Sequence, residues 1–310
     1  MPQDIIKCIP THCGAVSDQR NAANGIIEEI VSRERTDMVL PPAMVAFVVL
    51  TYIAIAFAYV AEVVRTHGSQ IPTAQTFGLS AIYLIGNGLV LAVFYLLTSR
   101  NRKHSKRESR LRKAMIRYAE ACNISCGADL GPNIGKMKNL DAAVDAVDKK
   151  RLAGGNIAFA LVPMAFGSMV LAAVDTAQNA IWVFAALYGI SILVLLAIAP
   201  SVTEFPRNHE MAAIDFAEEF QSAAPFLGIS AVPYGRTMGY RSFWLFVALT
   251  AFTVGIFVAV WAYLAFRDMN WHFVVQWRYE DEILRSVRDR EMAFCDSPVT
   301  DLYTLEGLWA

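Results

Sequence analysis

The sequence predicts an all-α integral membrane protein with five transmembrane helices, arranged as two hairpins plus a final helix, with amphipathic helices on the cytoplasmic side. Three observations carry that prediction. Of the 310 residues 55% are hydrophobic and 18% charged, and the mean hydropathy is +0.39. The apolar residues stand in blocks, at 43–64, 77–97, 157–174, 180–202 and 243–266. Each is close to the ~20 residues that, at about 1.5 Å rise, cross a hydrocarbon layer of roughly 30 Å. The cationic residues crowd into the connections on one side, as the positive-inside rule requires of a polytopic chain.

Residues 1–39 form a cytoplasmic segment of mixed charge, without the basic run, apolar core and small-residue cleavage site of a removed signal peptide. Ile26, Ile27, Ile30 and Val31 follow Asn24 at helical spacing and predict a short amphipathic helix on the membrane face or on the next domain. Pro41 and Pro42 open the first transmembrane hairpin, 40–98. Ala54 and Ala58 offer it a small-residue packing face, and Asn87, between Gly86 and Gly88, is a polar group suited to bonding a neighbouring helix. The basic cytoplasmic loop, 99–155, holds nine Lys or Arg between Arg100 and Arg117, beside an apolar face of Leu111, Met115, Tyr118, Ala119 and Cys122. A cationic amphipathic helix suits an anionic inner leaflet, so Arg100, Arg102, Lys103, Lys106, Arg107, Arg110, Arg112 and Lys113 are the expected contacts to lipid or to an acidic partner. A glycine-containing loop at 127–138 and a second short helix around Leu140, Val144 and Val147 complete this loop, which closes at Gly154 and Gly155. The second transmembrane hairpin is 156–202, and a cytoplasmic segment covers 203–242. The final transmembrane helix, 243–267, is anchored by Tyr240 and Trp244 at one end and Trp271 at the other, with Gly255 as a packing position. A charged helix and tail fill 268–310.

Five spans place 21 of the 27 Lys and Arg on the side of the N-terminus, which is therefore cytoplasmic, in the cell (inner) membrane. The other six are Arg65 and the five arginines after the last span. Bringing that tail inside would give 26 to 1, but needs a sixth crossing. The only candidate, 223–232, is too short to span. Cys8, Cys13, Cys122, Cys126 and Cys295 are too few and too irregular for a disulfide framework and are expected to be reduced.

Three helix exits share an outline. Gly88 precedes Arg100, Asn101 and His104; Gly189 precedes Arg207, Asn208 and His209; Gly255 precedes Arg267, Asn270 and His272. From Gly to His the spacings are 16, 20 and 17 residues, a degenerate repeat or the ordinary clustering of polar residues at helix ends. At the third exit, Thr253, Gly255, Ile256, Phe257 and Trp261, preceded by Arg241 and Trp244, resemble the signature helix of an uncharacterised prokaryotic membrane-protein family, domain-of-unknown-function family 4234. That family usually shows Thr-x-Gly-Ile-Tyr, and Phe257 stands here for the Tyr. The likeness covers residues 238–282 and implies a small helical membrane domain with no assigned activity.

His104, His209 and His272 could converge on a metal or a proton, since imidazole is a common ligand and titrates near neutrality. The reading adopted is three separate interfacial histidines, because five spans put His272 on the opposite side from the other two. Cys8, His12, Cys13, Cys122 and Cys126 lack the usual zinc-knuckle spacing. Residues 131–136, Gly-Pro-Asn-Ile-Gly-Lys, lack the first glycine, the Ser/Thr and the preceding strand of a phosphate loop. No catalytic, cofactor-binding or metal residue is therefore assigned. The expected role is a non-catalytic scaffold or accessory subunit that binds membrane lipids and other membrane proteins, or itself, but not nucleic acid. A small channel or transporter is the alternative, and a metal-binding membrane enzyme the third choice.

Overall fold

The computed structural model describes residues 13–39, 73–126, 129–174, 199–230, 232–253 and 257–294, with scattered positions at 41–54 and 193–197. Among these residues the protein is all-α, and seven helices carry it: α1 (Cys13–Val31), α2 (Arg33–Thr36), α3 (Thr73–Cys126), α4 (Gly131–Val174), α5 (Phe205–Leu227), α6 (Phe243–Phe252) and α7 (Phe257–Phe294). No helix among them is long and apolar enough to cross a membrane. Most of the first expected span, the external turns, Ala58 and Gly255 lie outside the described residues, while Ala54 is helical and exposed.

The second expected span and the basic segment are one rod. α3 runs unbroken for 54 residues, about 80 Å at 1.5 Å per residue, because no Gly or Pro falls between Leu89 and Cys126. α4 likewise continues through Gly154 and Gly155 into the third expected span. Two mid-helix glycines cost only about 1 kcal/mol each, too little to end a helix with long flanking turns.

The final run departs from its expected form. α6 stops at Phe252 and α7 starts at Phe257. Phe246 packs edge-on against Phe257 and Trp261, with ring centroids 5.3 and 5.4 Å away, and Phe243 lies 6.1 Å from Trp261. In one continuous helix residues 243 and 261 would be about 27 Å apart. The run is therefore a helical hairpin, and Trp244 and Trp271 are not at opposite ends of a single span. Thr253 lets the chain turn: its hydroxyl donates to the Leu249 carbonyl at 2.8 Å and accepts the Phe257 amide at 2.9 Å, so one side chain serves both helix ends. At the base of the hairpin Arg241 donates to both oxygens of Asp268, one bond being 3.0 Å.

Beyond the expected spans α1, α3, α4, α5 and α7 form a bundle. Its core interleaves Ile26 and Ile30 with Met115 and Tyr118, Ile134 and Met137, Phe216 and Phe220, and Ile283 and Val287. Each such buried side chain contributes about 1.5–3 kcal/mol. α1 thus packs on this domain, as one of its two expected placements had it. Within the apolar run 223–232, Ala223, Ala224, Leu227 and Ile229 are buried in this core, and residues 223–227 are the end of α5, closed by Gly228 at φ +65° with the Ile229 amide donating to the Ala224 carbonyl at 3.1 Å, a left-handed cap suited to glycine. Nearer the hairpin a smaller cluster, Leu152, Phe205, Met238, Met269 and Phe273, lies above a layer of buried charge.

Candidate metal centre

Three helices bring a histidine each into that layer. His104 lies on α3, His209 near the start of α5 and His272 on α7; all three are fully buried. Their ring centroids form a triangle of 5.3, 5.3 and 6.0 Å. Glu108, one turn after His104 on the same face of α3, completes a set of four residues whose donor atoms all lie within 4.8 Å of one another.

Each imidazole is tied from behind to a different carboxylate. His104 Nδ1 is 3.0 Å from Asp37, His209 Nδ1 is 2.8 Å from Asp148 and His272 Nδ1 is 3.3 Å from Glu210. An ionised carboxylate only accepts, so each Nδ1 carries a proton and each Nε2 is turned inward, that of His209 holding a second proton against Glu108 in the metal-free protein. There the partners run out. His104 Nε2 is 3.3 Å from Glu108 Oε2 without a directed hydrogen bond, and His272 Nε2 has no partner among the described residues. His209 Nε2 meets Glu108 Oε2 at close contact. Acceptors converging on one buried point need a proton or a cation between them.

The outer carboxylates are themselves held. Asp37 pairs with Arg107 at 2.8 Å and accepts the Trp277 indole N–H at 3.2 Å. Asp148 accepts the Ser105 hydroxyl at 2.5 Å. Glu210 accepts the backbone amides of Thr237 at 3.0 Å and Met238 at 2.7 Å. Arg112 grips the outward oxygen of Glu108 at 3.2 Å, leaving the other to face the histidines.

Burial by itself lowers the histidine pKa values, but at two of the three rings the carboxylates win. Asp37 and Glu108 raise His104, and Glu108 with Asp148 raises His209 to about 10. His272 moves down, because burial and the two charged neighbours outweigh its bond to Glu210. Asp37 is held at about 2 despite burial, by His104, Arg107 and Trp277. Five carboxylates whose side chains are at most 6% exposed, Asp37, Glu108, Asp148, Glu210 and Glu280, face three buried guanidinium groups, Arg100, Arg107 and Arg112. With neutral imidazoles these eight groups are two negative charges in excess, part of which Arg33 offsets at 3.8 Å from Glu280, and a cation or protons on the imidazoles would cancel the rest.

The residues expected to meet lipid divide between two faces. Arg100 is buried, bonded to Asn270 at 2.7 Å. Arg107 donates to Glu280 at 2.9 Å, and Arg112 reaches Asp141 at 2.8 Å and Asp145 at 2.9 Å. Those three do not present to solvent, because a 3.6-residue period turns 100, 104, 107, 108 and 112 to the core. Lys103, Lys106, Arg110 and Lys113 are exposed, and Arg102 is half-buried. Arg110 pairs with Glu29 at 2.8 Å and Lys113 with Asp145 at 3.1 Å. Asn87 is on α3 with its side chain outside the described set. Cys122 is buried beside Arg290 at 3.0 Å and is not part of the four-residue donor set.

The expected separation of His272 from the other two histidines is overturned: the three rings meet within 6.0 Å, α7 having folded back after α6. Asp37, Glu108, Asp148 and Glu210 escaped the sequence reading. Only the His104-x-x-x-Glu108 spacing gave a local signal. Comparisons of the chain with protein-family models, with curated proteins and with solved structures match nothing.

Proposed function

We propose that this chain is a membrane-anchored metalloprotein in which one divalent transition-metal ion, bound by His104, Glu108, His209 and His272, joins three helices where they leave the bilayer. The observation that carries the reading is the convergence of three Nε2 atoms and one carboxylate oxygen, with every imidazole backed by its own carboxylate. That is the donor set and the outer shell that fix tautomer and ring orientation in imidazole-rich metal sites. Zinc, with roughly 2.0–2.1 Å bonds and so tetrahedral donors about 3.3 Å apart, asks the widest-spaced members of a set lying within 4.8 Å to draw in by about an ångström. The remaining negative charge of the layer favours a cation.

The membrane part of the reading rests on the apolar blocks and on the hairpin. Folding 243–266 back on itself puts 26 of the 27 Lys and Arg on one side and removes the need for a sixth span. The hairpin also leaves Phe252 87%, Trp244 74% and Trp271 58% exposed, apolar surface suited to a bilayer and its interface. Elemental analysis of detergent-purified protein tests the proposal. Near one equivalent of metal is expected, falling in His209→Ala and Glu108→Gln; protein that is free of transition metal and takes none up from solution would refute it.

The scaffold reading keeps one specific support, the exposed stripe Lys103, Lys106, Arg110 and Lys113. Anionic lipid or an acidic partner is its fitting counterpart.

A further inference from the structure

A cavity of about 20 Å³ lies between α3, α5 and α7, on the side of the metal centre away from the hairpin. Glu108 is the only member of the four-residue donor set that lines it. Two other lining groups, the Tyr279 hydroxyl and the Gln276 carbonyl oxygen, are buried and have no hydrogen-bond partner among the described residues. Native structures rarely leave such groups unsatisfied. A buried water needs roughly 10–15 Å³ of this kind of space and 2–4 polar partners. The cavity meets both conditions, with Tyr279, Gln276 and the Glu108 carboxylate around it. Arg112 and Glu280 are also on its wall, so the lining carries charge of both signs.

We infer that this cavity holds an exchangeable water that reaches the ion past Glu108, so that the centre has an open position and activates water instead of only clamping helices. The inference rests on the metal reading above. A site closed by four protein ligands is structural, whereas a site that admits water becomes a Lewis-acid centre, where the bound water loses a proton near neutral pH. Glu108 governs entry. Its oxygens are shared between Arg112 on the outside and the histidines inside, and a shift of that carboxylate uncovers a coordination position while Arg112 keeps it in place.

The test is proton relaxation of solvent water by the full-length protein loaded with Mn(II), after the stoichiometry of binding has been measured. The expected result is a several-fold enhancement of relaxivity over free Mn(II), lost in Ala213→Leu, which fills the cavity from α5, with the bound manganese unchanged. Relaxivity at the outer-sphere level in the wild type, or an enhancement that survives Ala213→Leu, overturns the inference and leaves the metal reading intact. Failure to bind Mn(II), Zn(II) or any other divalent ion defeats the metal reading itself. Should Ala213→Leu not fold, Tyr279→Phe replaces it: a reduced enhancement is expected, and an unaltered one overturns the inference.

Discussion

The two faces of α3 carry the same residue types to opposite ends. Inward, Arg100, His104, Arg107, Glu108 and Arg112 are buried and held by partners from the segment after α2 and from α4, α5 and α7. Outward, Lys103, Lys106, Arg110, Lys113 and Arg117 remain exposed, and those with partners pair at the surface. Charge count alone cannot separate these two sets; period does. Inside, each charge is desolvated and its loss strands a partner, while outside, water replaces whatever is removed.

The largest expected effect is therefore on the inner face. Arg107 meets Asp37 and Glu280 at 2.8 Å with none of the three side chains exposed. Arg107→Ala leaves two buried carboxylates without their guanidinium and should cost about 3–5 kcal/mol, read as a lower denaturation midpoint of the metal-free protein. An effect below 1 kcal/mol, the surface range, would mean that this layer is hydrated and would erase the contrast between the faces.

Metal affinity sharpens the comparison next. Replacing a donor, as in His104→Ala, should abolish stoichiometric binding. Asp37→Asn keeps the ring in place but weakens its backing, and a loss of roughly 10–100-fold in affinity is expected, measured by competition with a chromophoric chelator. Equal affinity in Asp37→Asn and wild type would show that the outer carboxylates do not orient the rings.

Acidity probes the same face. His209 sits at about 10 in the folded protein, above its ordinary 6.5, because Glu108 and Asp148 outweigh its burial. A raised folded value stabilises the protein fully below the unfolded value and loses that contribution as pH climbs to the folded one. Metal-free protein should thus lose stability from pH about 6.5 towards about 10, while metal-loaded protein, whose ion stands in for the proton, should not. Loading should release protons and weaken as pH falls. Parallel stability curves for the two forms would argue against exchange of protons for metal at His209.

Of this cluster only the three histidines could be noticed in the sequence, and their meeting and their backing carboxylates could not, for identifiable reasons. The three histidines were visible as a recurring Arg, Asn and His at three helix exits, and Asn270 does meet Arg100 across two of those exits at 2.7 Å. What hid their meeting was the 243–266 run, which contains no proline and only one glycine and so reads as a single span. Its reversal depends on aromatic packing between residues 11 to 18 apart and on one threonine, and neither alters a hydropathy profile. The backing carboxylates were hidden differently. Asp37 and His104 are 67 positions apart, and Asp148 and His209 are 61; nothing local marks such pairs. The all-α class, by contrast, follows from the apolar blocks, and the apolar face of α3 from helical periodicity.

The smallest expected effect on stability belongs to the outer face, where it carries the most information about location. Lys103 and Lys106 are exposed and lie a turn apart, on the part of α3 that follows the second apolar block. Reversing both charges, Lys103→Glu with Lys106→Glu, should shift stability by no more than the few tenths of a kcal/mol typical of surface sites. Each removed cation near an anionic leaflet should cost about 1 kcal/mol of attraction, and each introduced anion adds repulsion. Stability would stay level while partition of the protein onto phosphatidylserine vesicles dropped by more than tenfold, an effect that high salt would diminish. If stability fell instead and vesicle binding held, Lys103 and Lys106 would belong functionally with Arg107. The helix would then bury charge on both faces, and its outer stripe would be covered by protein and not by lipid.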